Sequence, residues 1–176
     1  MIYMITDLVL KEVDFTGGSA GASSRADANK WGPELAFQQD ALNVEVRWTS
    51  ARDKTGNGNF IHFPHMIWYR FRTAIVPGRV SFGANSDEMD GKFFWRGATK
   101  WQFIGSNDED CDEKSAWTIL CEDLSGSHFE RRTQSKYCTV EVGKPKYKCL
   151  GISVLDSSDP NGPRVDISGI RMWERK

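Results

Sequence analysis

Residues 100–120 read KWQFIGSNDEDCDEKSAWTIL. Lys100, Trp101, Gln102, Phe103 and Ile104 alternate polar and apolar up to Gly105. An acidic polar segment follows, and Trp117, Thr118, Ile119 and Leu120 then resume an aromatic and β-branched run. Alternation with a period of two, broken by a Gly/Ser/Asn/Asp cluster, predicts a β-hairpin with a long acidic tip. Outward from this hairpin, short strand candidates recur at 7–15, 42–48, 66–72, 79–83, 117–122, 138–142, 147–155 and 167–173. Turn-rich segments separate them: GGSAG at 17–21, KTGNGN at 54–59 and SSDPNGP at 157–163. No stretch carries a capped amphipathic helical pattern. The fold class is therefore all-β, an antiparallel sandwich or barrel.

Several candidates predict a face assignment. Val44, Val46 and Trp48 point one way and Glu45 and Arg47 the other, giving one dry and one wet face. Trp48, Trp68, Trp101 and Trp117 fall on inward positions and are expected in the core. Lys144, Lys146 and Lys148 alternate and are expected on the wet face of one strand. Two connections are long, 49–65 and 84–99, and loops of that size in a compact domain usually carry function. The 17–21 segment lacks the Lys-Ser/Thr and helix of a phosphate loop, so it reads as a flexible connection.

The chain has 176 residues and a formal net charge of −1. That length suits a single domain with a real core, and the charge excludes a general nucleic-acid binder. No apolar run approaches the roughly 20 residues of a membrane-spanning helix. The opening residues lack the basic start and small-residue cleavage site of a signal peptide. Cys111, Cys121, Cys138 and Cys149 allow two disulfides in three connectivities. Sequence proximity favours Cys111 with Cys121 and Cys138 with Cys149; the alternative is four reduced thiols. Zinc is excluded by the absence of C-x-x-C spacing. Catalytic signatures such as H-E-x-x-H, G-x-S-x-G and a Walker loop are absent, so an enzyme is not expected. His62 and His65 with Asp53 could mimic an acid–base or metal site, but read more simply as a loop entering a strand.

Motifs in order along the chain resemble the discoidin, or coagulation factor 5/8 type C, family. Ala22-Ser23-Ser24 is similar to its early A-S-S. Pro33 to Phe37, Asp40 and Arg47-Trp48-Thr49-Ser50 are similar to its "A-F-D-G-D … W-x-S" segment. Trp68-Tyr69-Arg70-Phe71 resembles the "W-[IL]-x-[IVF]-D" strand, and Trp101 to Asp108 with Trp117-Thr118 resembles the "S-N-D-G-x-x-W" hairpin. Residues 147–154 and 167–173 resemble the last two strands. The resemblance implies a galactose-binding-like jelly roll of about eight strands, spanning 1–176, with 1–21 as an N-terminal strand and connection. It implies a structural calcium at a turn containing Asp40. Gln38 and Gly169, however, stand where two of that site's carboxylates would be. The acidic segment Asp108-Glu109-Asp110-Cys111-Asp112 fails the calcium-loop pattern, because Glu113 replaces its Gly and Ile119 its Glu.

The implied function is carbohydrate recognition or adhesion by loops at one end of the sandwich. Sugar binding needs a ring to stack on, donors for hydroxyls and carboxylate acceptors. The two long loops and their surroundings offer Trp31, Arg52, Asp53, Asn57, Asn59, His62, Asn85, Trp95 and Arg96. The alternatives are a phospholipid or protein-partner adhesion domain, with Phe93-Phe94-Trp95-Arg96 as an apolar spike beside Lys92, or a carrier of an apolar small molecule. A glycan partner, a homo-oligomer that gains by avidity, and an extracellular rather than cytoplasmic location are the corresponding expectations.

Overall fold

The computed structural model describes residues 9–24, 32–38, 47–50, 63–83, 96–130, 134–159 and 164–176. Ten strands and one short helix lie among them. β1 (Leu10–Glu12), β2 (Ser19–Ala22), α1 (Pro33–Ala36), β3 (Trp48–Thr49), β4 (His65–Ile75) and β5 (Pro77–Gly83) come first. β6 (Ala98–Ser106), β7 (Thr118–Asp123), β8 (Ser135–Thr139), β9 (Tyr147–Ser157) and β10 (Asp166–Arg175) follow. They form two five-stranded antiparallel sheets. The first runs β1-β10-β5-β8, with β3 also on β10; the second runs β2-β4-β9-β6-β7.

Period-two patterning explains why the sheets face each other. Ile67, Tyr69 and Phe71 of β4, Trp101 and Phe103 of β6, and Leu150, Ile152 and Val154 of β9 bury one face of the second sheet. Val80, Phe82, Ile167, Ile170 and Met172 supply the facing side. Strict alternation would not put Ile167 and Ile170 on the same side. A bulge between Ser168 and Arg171, with Gly169 at φ 55°, resets the phase. Phe82 and Trp101 meet edge-on across the core, 4.8 Å between centroids.

Several sequence expectations need correction. The 17–21 segment is not a loose connection, since β2 pairs Ser19 with Arg70 and Ala22 with Ile67. Its glycines permit contact with β4: a Cβ on Gly18 would lie 2.2 Å from the Arg70 carbonyl oxygen. Arg47, assigned to the wet face, is 2% exposed. Trp68 and Trp117 lie outside the main core. They pack on the outer face of the second sheet with Met66, Ile104, Cys111 and Cys149, their rings 6.1 Å apart. Lys144 and Lys146 precede β9, which holds only Lys148 of the trio. The strand expected at 42–48 is described only as β3, and the one at 7–15 only as β1.

The cysteine pairing by proximity is overturned. The disulfides join Cys111 to Cys149 and Cys121 to Cys138, and no cysteine is free. The hairpin tip folds back towards β9, where the Asn107 side chain donates to the Lys146 carbonyl and accepts from the Lys148 amide. That return places Cys111 beside Cys149. β7 is the edge of one sheet and β8 the edge of the other, so Cys121–Cys138 ties the sheets together along one flank. On the opposite flank the chain itself crosses, from β1 in the first sheet to β2 in the second.

Candidate functional site

Eight strands start or stop at one pole. β2, β5, β7 and β9 end there, and β4, β6, β8 and β10 begin there, as the register shows: His65 pairs with Val154, Ala98 with Ser157, and Gly83 with both Ser168 and Ser135. β3 arrives at the same place, with Thr49 opposite Asp166. The flanks of the two long loops therefore converge. The Ser50 amide donates to the Val165 carbonyl (2.9 Å), and the Val165 amide donates to Ser50 Oγ (2.9 Å). The Asp166 amide donates to the Arg96 carbonyl (2.8 Å), and the Ser158 amide to the Gly97 carbonyl (3.0 Å). A third connection is pinned by Trp48 Nε1 donating to the Ser24 carbonyl (2.8 Å). Ser24 Oγ also lies 3.0 Å from His65 Nδ1.

Beneath this pole sits a charge cluster. Asp166, with its side chain fully buried, lies 3.9 Å from Arg47 Nε and 3.8 Å from Arg96 Nη1. Arg96 Nε is 3.5 Å from Asp159, whose side chain is also nearly buried. Arg47 Nε donates to Thr49 Oγ1 (3.3 Å). Burial pushes the Asp166 carboxyl above the ordinary carboxylate range, against the pull of Arg47, Thr49 and Arg96. Arg96 keeps 29% of its side chain exposed. It is thus a guanidinium aimed from a fixed base, held by two carboxylates, with donors left for a ligand. Beside the pole, Ala22, Ser23, Ser24, Pro33 and Glu34 border a depression of about 380 Å³.

Of the predicted ligand-binding residues, Arg96 is the one the structure describes, and it lies at this pole. Trp31, Arg52, Asp53, Asn57, Asn59, His62, Asn85 and Trp95 fall outside the described residues, as does Asp40, the calcium candidate. Gln38 is exposed just beyond α1. His65 is fully buried against Ser24 and Phe63, a structural position rather than an acid–base one. The acidic tip closes on itself: Asp108 accepts from the Ala116 amide and Asp112 from the Lys114 amide. No group of three or more His, Cys, Asp or Glu side chains suited to a metal ion occurs among the described residues. Sequence reasoning missed Arg47, Asp159 and Asp166. The one available signal was an aspartate inside the apolar run Val165-Asp166-Ile167.

No protein-family model and no curated protein sequence matches the chain. Solved structures do. A family 32 carbohydrate-binding module of NanJ from C. perfringens, in complex with galactose, superposes with a TM-score of 0.65 at 13% identity, covering 94% of this chain and 100% of that one. An F5/8 type C domain from Bacteroides fragilis gives 0.66 at 14% identity, with 95% and 97% covered. The fifth family 32 module of a Clostridium perfringens protein, in complex with GalNAc-β-1,3-galactose, gives 0.61 at 13% identity, with 92% and 99% covered. At such identities the likeness establishes architecture: the chain has the fold of the F5/8 type C, discoidin-like domains, a galactose-binding-like jelly roll.

Proposed function

We propose that the chain is a single non-catalytic carbohydrate-binding module that takes its ligand at the pole where the long loops converge. The observation that carries this is the fixing of both loop flanks, Ser50 and Arg96, to adjacent residues at the start of β10, with Arg96 held part-exposed by Asp159 and Asp166. A rigid scaffold that gathers loops rich in Arg, Asn, Asp and Trp supplies the donors, acceptors and rings that a sugar requires. Proteins of the same fold with galactose or a GalNAc-galactose disaccharide bound support this reading. The two disulfides favour an oxidising, extracellular setting.

A glycan array followed by calorimetry on the best hit tests the proposal. A monosaccharide should bind near 1 mM, or about −4 kcal/mol. Arg96→Ala, Trp95→Ala and Arg52→Ala should each abolish the signal while thermal unfolding stays cooperative. Absence of any glycan hit, or hits untouched by all three variants, would reject it. At such an affinity a self-associating form gains by avidity; a monomer throughout the micromolar range in light scattering would remove that part.

A further inference from the structure

The GGS turn at 17–19 and the outer face of β4 form a second concavity, away from the loop pole. Because Ile67, Tyr69 and Phe71 face the core, Arg70 and Arg72 face outward. Gly17, Gly18, Ser19, Arg70, Phe71, Arg72 and Lys148 enclose about 400 Å³. That falls in the range of small-ligand sites, roughly 300–1,000 Å³. Seven residues separate Arg72 from His65 at the loop pole, about 23 Å of strand.

The charge in this lining is of one sign. Arg47, Arg96, Lys100, Lys136, Arg171 and Lys176 each lie within 3.9 Å of a carboxylate. Among the described residues, Arg70, Arg72 and Lys148 have no such partner and no acidic side chain lines their concavity. Three like charges around one depression repel each other unless an anion joins them. The glycines keep the space open. A Cβ on Gly17 would lie 3.1 Å from Arg72 Nε, and Gly17 holds φ 73°. Gly18 is pressed onto β4, its amide donating to Tyr69 Oη at 3.0 Å.

We propose that this concavity binds the sulfate ester of an acidic saccharide. Two guanidinium forks and an ammonium match the three terminal oxygens of a sulfate monoester. Recognition here is by charge: among the described residues the one ring in the lining is Phe71, which at 6% exposed offers no platform for stacking a neutral sugar. The lining also holds no exposed large apolar side chain of the kind that anchors a protein in a lipid surface.

Amide NMR of the whole chain, titrated with galactose 6-sulfate, galactose and inorganic sulfate, provides the test. The sulfated sugar should shift Gly17, Gly18, Ser19, Arg70, Arg72 and Lys148 saturably, inorganic sulfate should shift them more weakly, and galactose should leave them unmoved. Arg72→Ala and Lys148→Gln should each weaken the response about ten-fold, with Arg72→Lys in between and spectral dispersion retained. Neutral-sugar binding at the loop pole should persist in these variants, so either site can fail without the other. Three results would overturn the proposal: shifts confined to the loop pole, an equal response to galactose, or binding to anionic vesicles without any response to galactose 6-sulfate.

Discussion

Removing the two disulfides one at a time should separate chain entropy from burial. Cys121–Cys138 spans 17 residues and lies nested within the 38-residue span of Cys111–Cys149. With the inner link intact, the outer one closes only roughly 21 further residues, so each link restricts the unfolded chain by about 3 kcal/mol. Entropy alone therefore predicts near-equal losses. Burial breaks the tie. Cys111 and Cys149 are 1% and 0% exposed, inside the outer cluster with Trp68 and Ile104, whereas Cys121 and Cys138 are only partly buried. Losing two buried sulfurs adds about 1.5 kcal/mol by transfer. The double variant Cys111→Ala/Cys149→Ala should thus lose about 4–5 kcal/mol, and Cys121→Ala/Cys138→Ala about 3. Urea unfolding followed by tryptophan fluorescence reads both. The reverse order would refute the reasoning and show that opening the flank between β7 and β8 outweighs burial. A loss below about 1 kcal/mol for either pair would refute the entropic part.

Three further outcomes are expected. The native state holds the Asp166 proton over a window above 3.8 where the unfolded chain has released it. This stabilising contribution is full at low pH and lost as pH rises through the folded value; Asp166→Asn should gain on the wild type as pH rises above 3.8, and a gap that stays constant in pH-resolved urea titrations counts against it. Gly18→Ala meets the Arg70 carbonyl oxygen and the Tyr69 ring and should cost about 3 kcal/mol. Gly143→Ala, with φ 91° but open space, should cost about 1–2; equal melting shifts would contradict this contrast. The Arg171 hydrogen bonds lower the Glu12 carboxyl pKa, so the pair helps above the unfolded value and fades as the solution is acidified through the folded one. The pair is largely solvated, so Glu12→Gln should change stability by less than about 1 kcal/mol at pH 7, and a larger change by urea titration would overturn that.

Much of the architecture was legible because burial on one sheet face writes itself as alternation. Trp101 falls on the inward face its pattern assigned, 147–155 forms the strand expected there, and the hairpin at 100–120 appears where its pattern put it. What escaped notice depends on contacts distant in sequence. Cys111 meets Cys149 only because Asn107 clasps 146–148, and proximity along the chain carries no trace of that. Arg47 alternates like a solvated residue, yet Asp166, 119 positions later, draws it inside. Ser19–Ala22 looks like linker because small residues suit both a loose loop and a strand pressed tightly to its neighbour; the Arg70 backbone decides between them. At the loop pole, composition put Arg96 among the candidates, but the carboxylates beside it come from Asp159 after β9 and Asp166 at the start of β10, more than sixty positions away.

The register of β1 on β10 sets Leu10 opposite Arg175, and the Lys176 amide donates to the Val9 carbonyl at 3.2 Å. Residues 9 and 176 therefore lie side by side at the end of the sandwich remote from Ser50 and Arg96. Any tether attached at either position would lead away from the pole where β10 begins. Mounted there on a surface or a larger assembly, the molecule would stand upright like a plug on its cord, with the pole that carries Arg96 turned outward and unobstructed by the attachment.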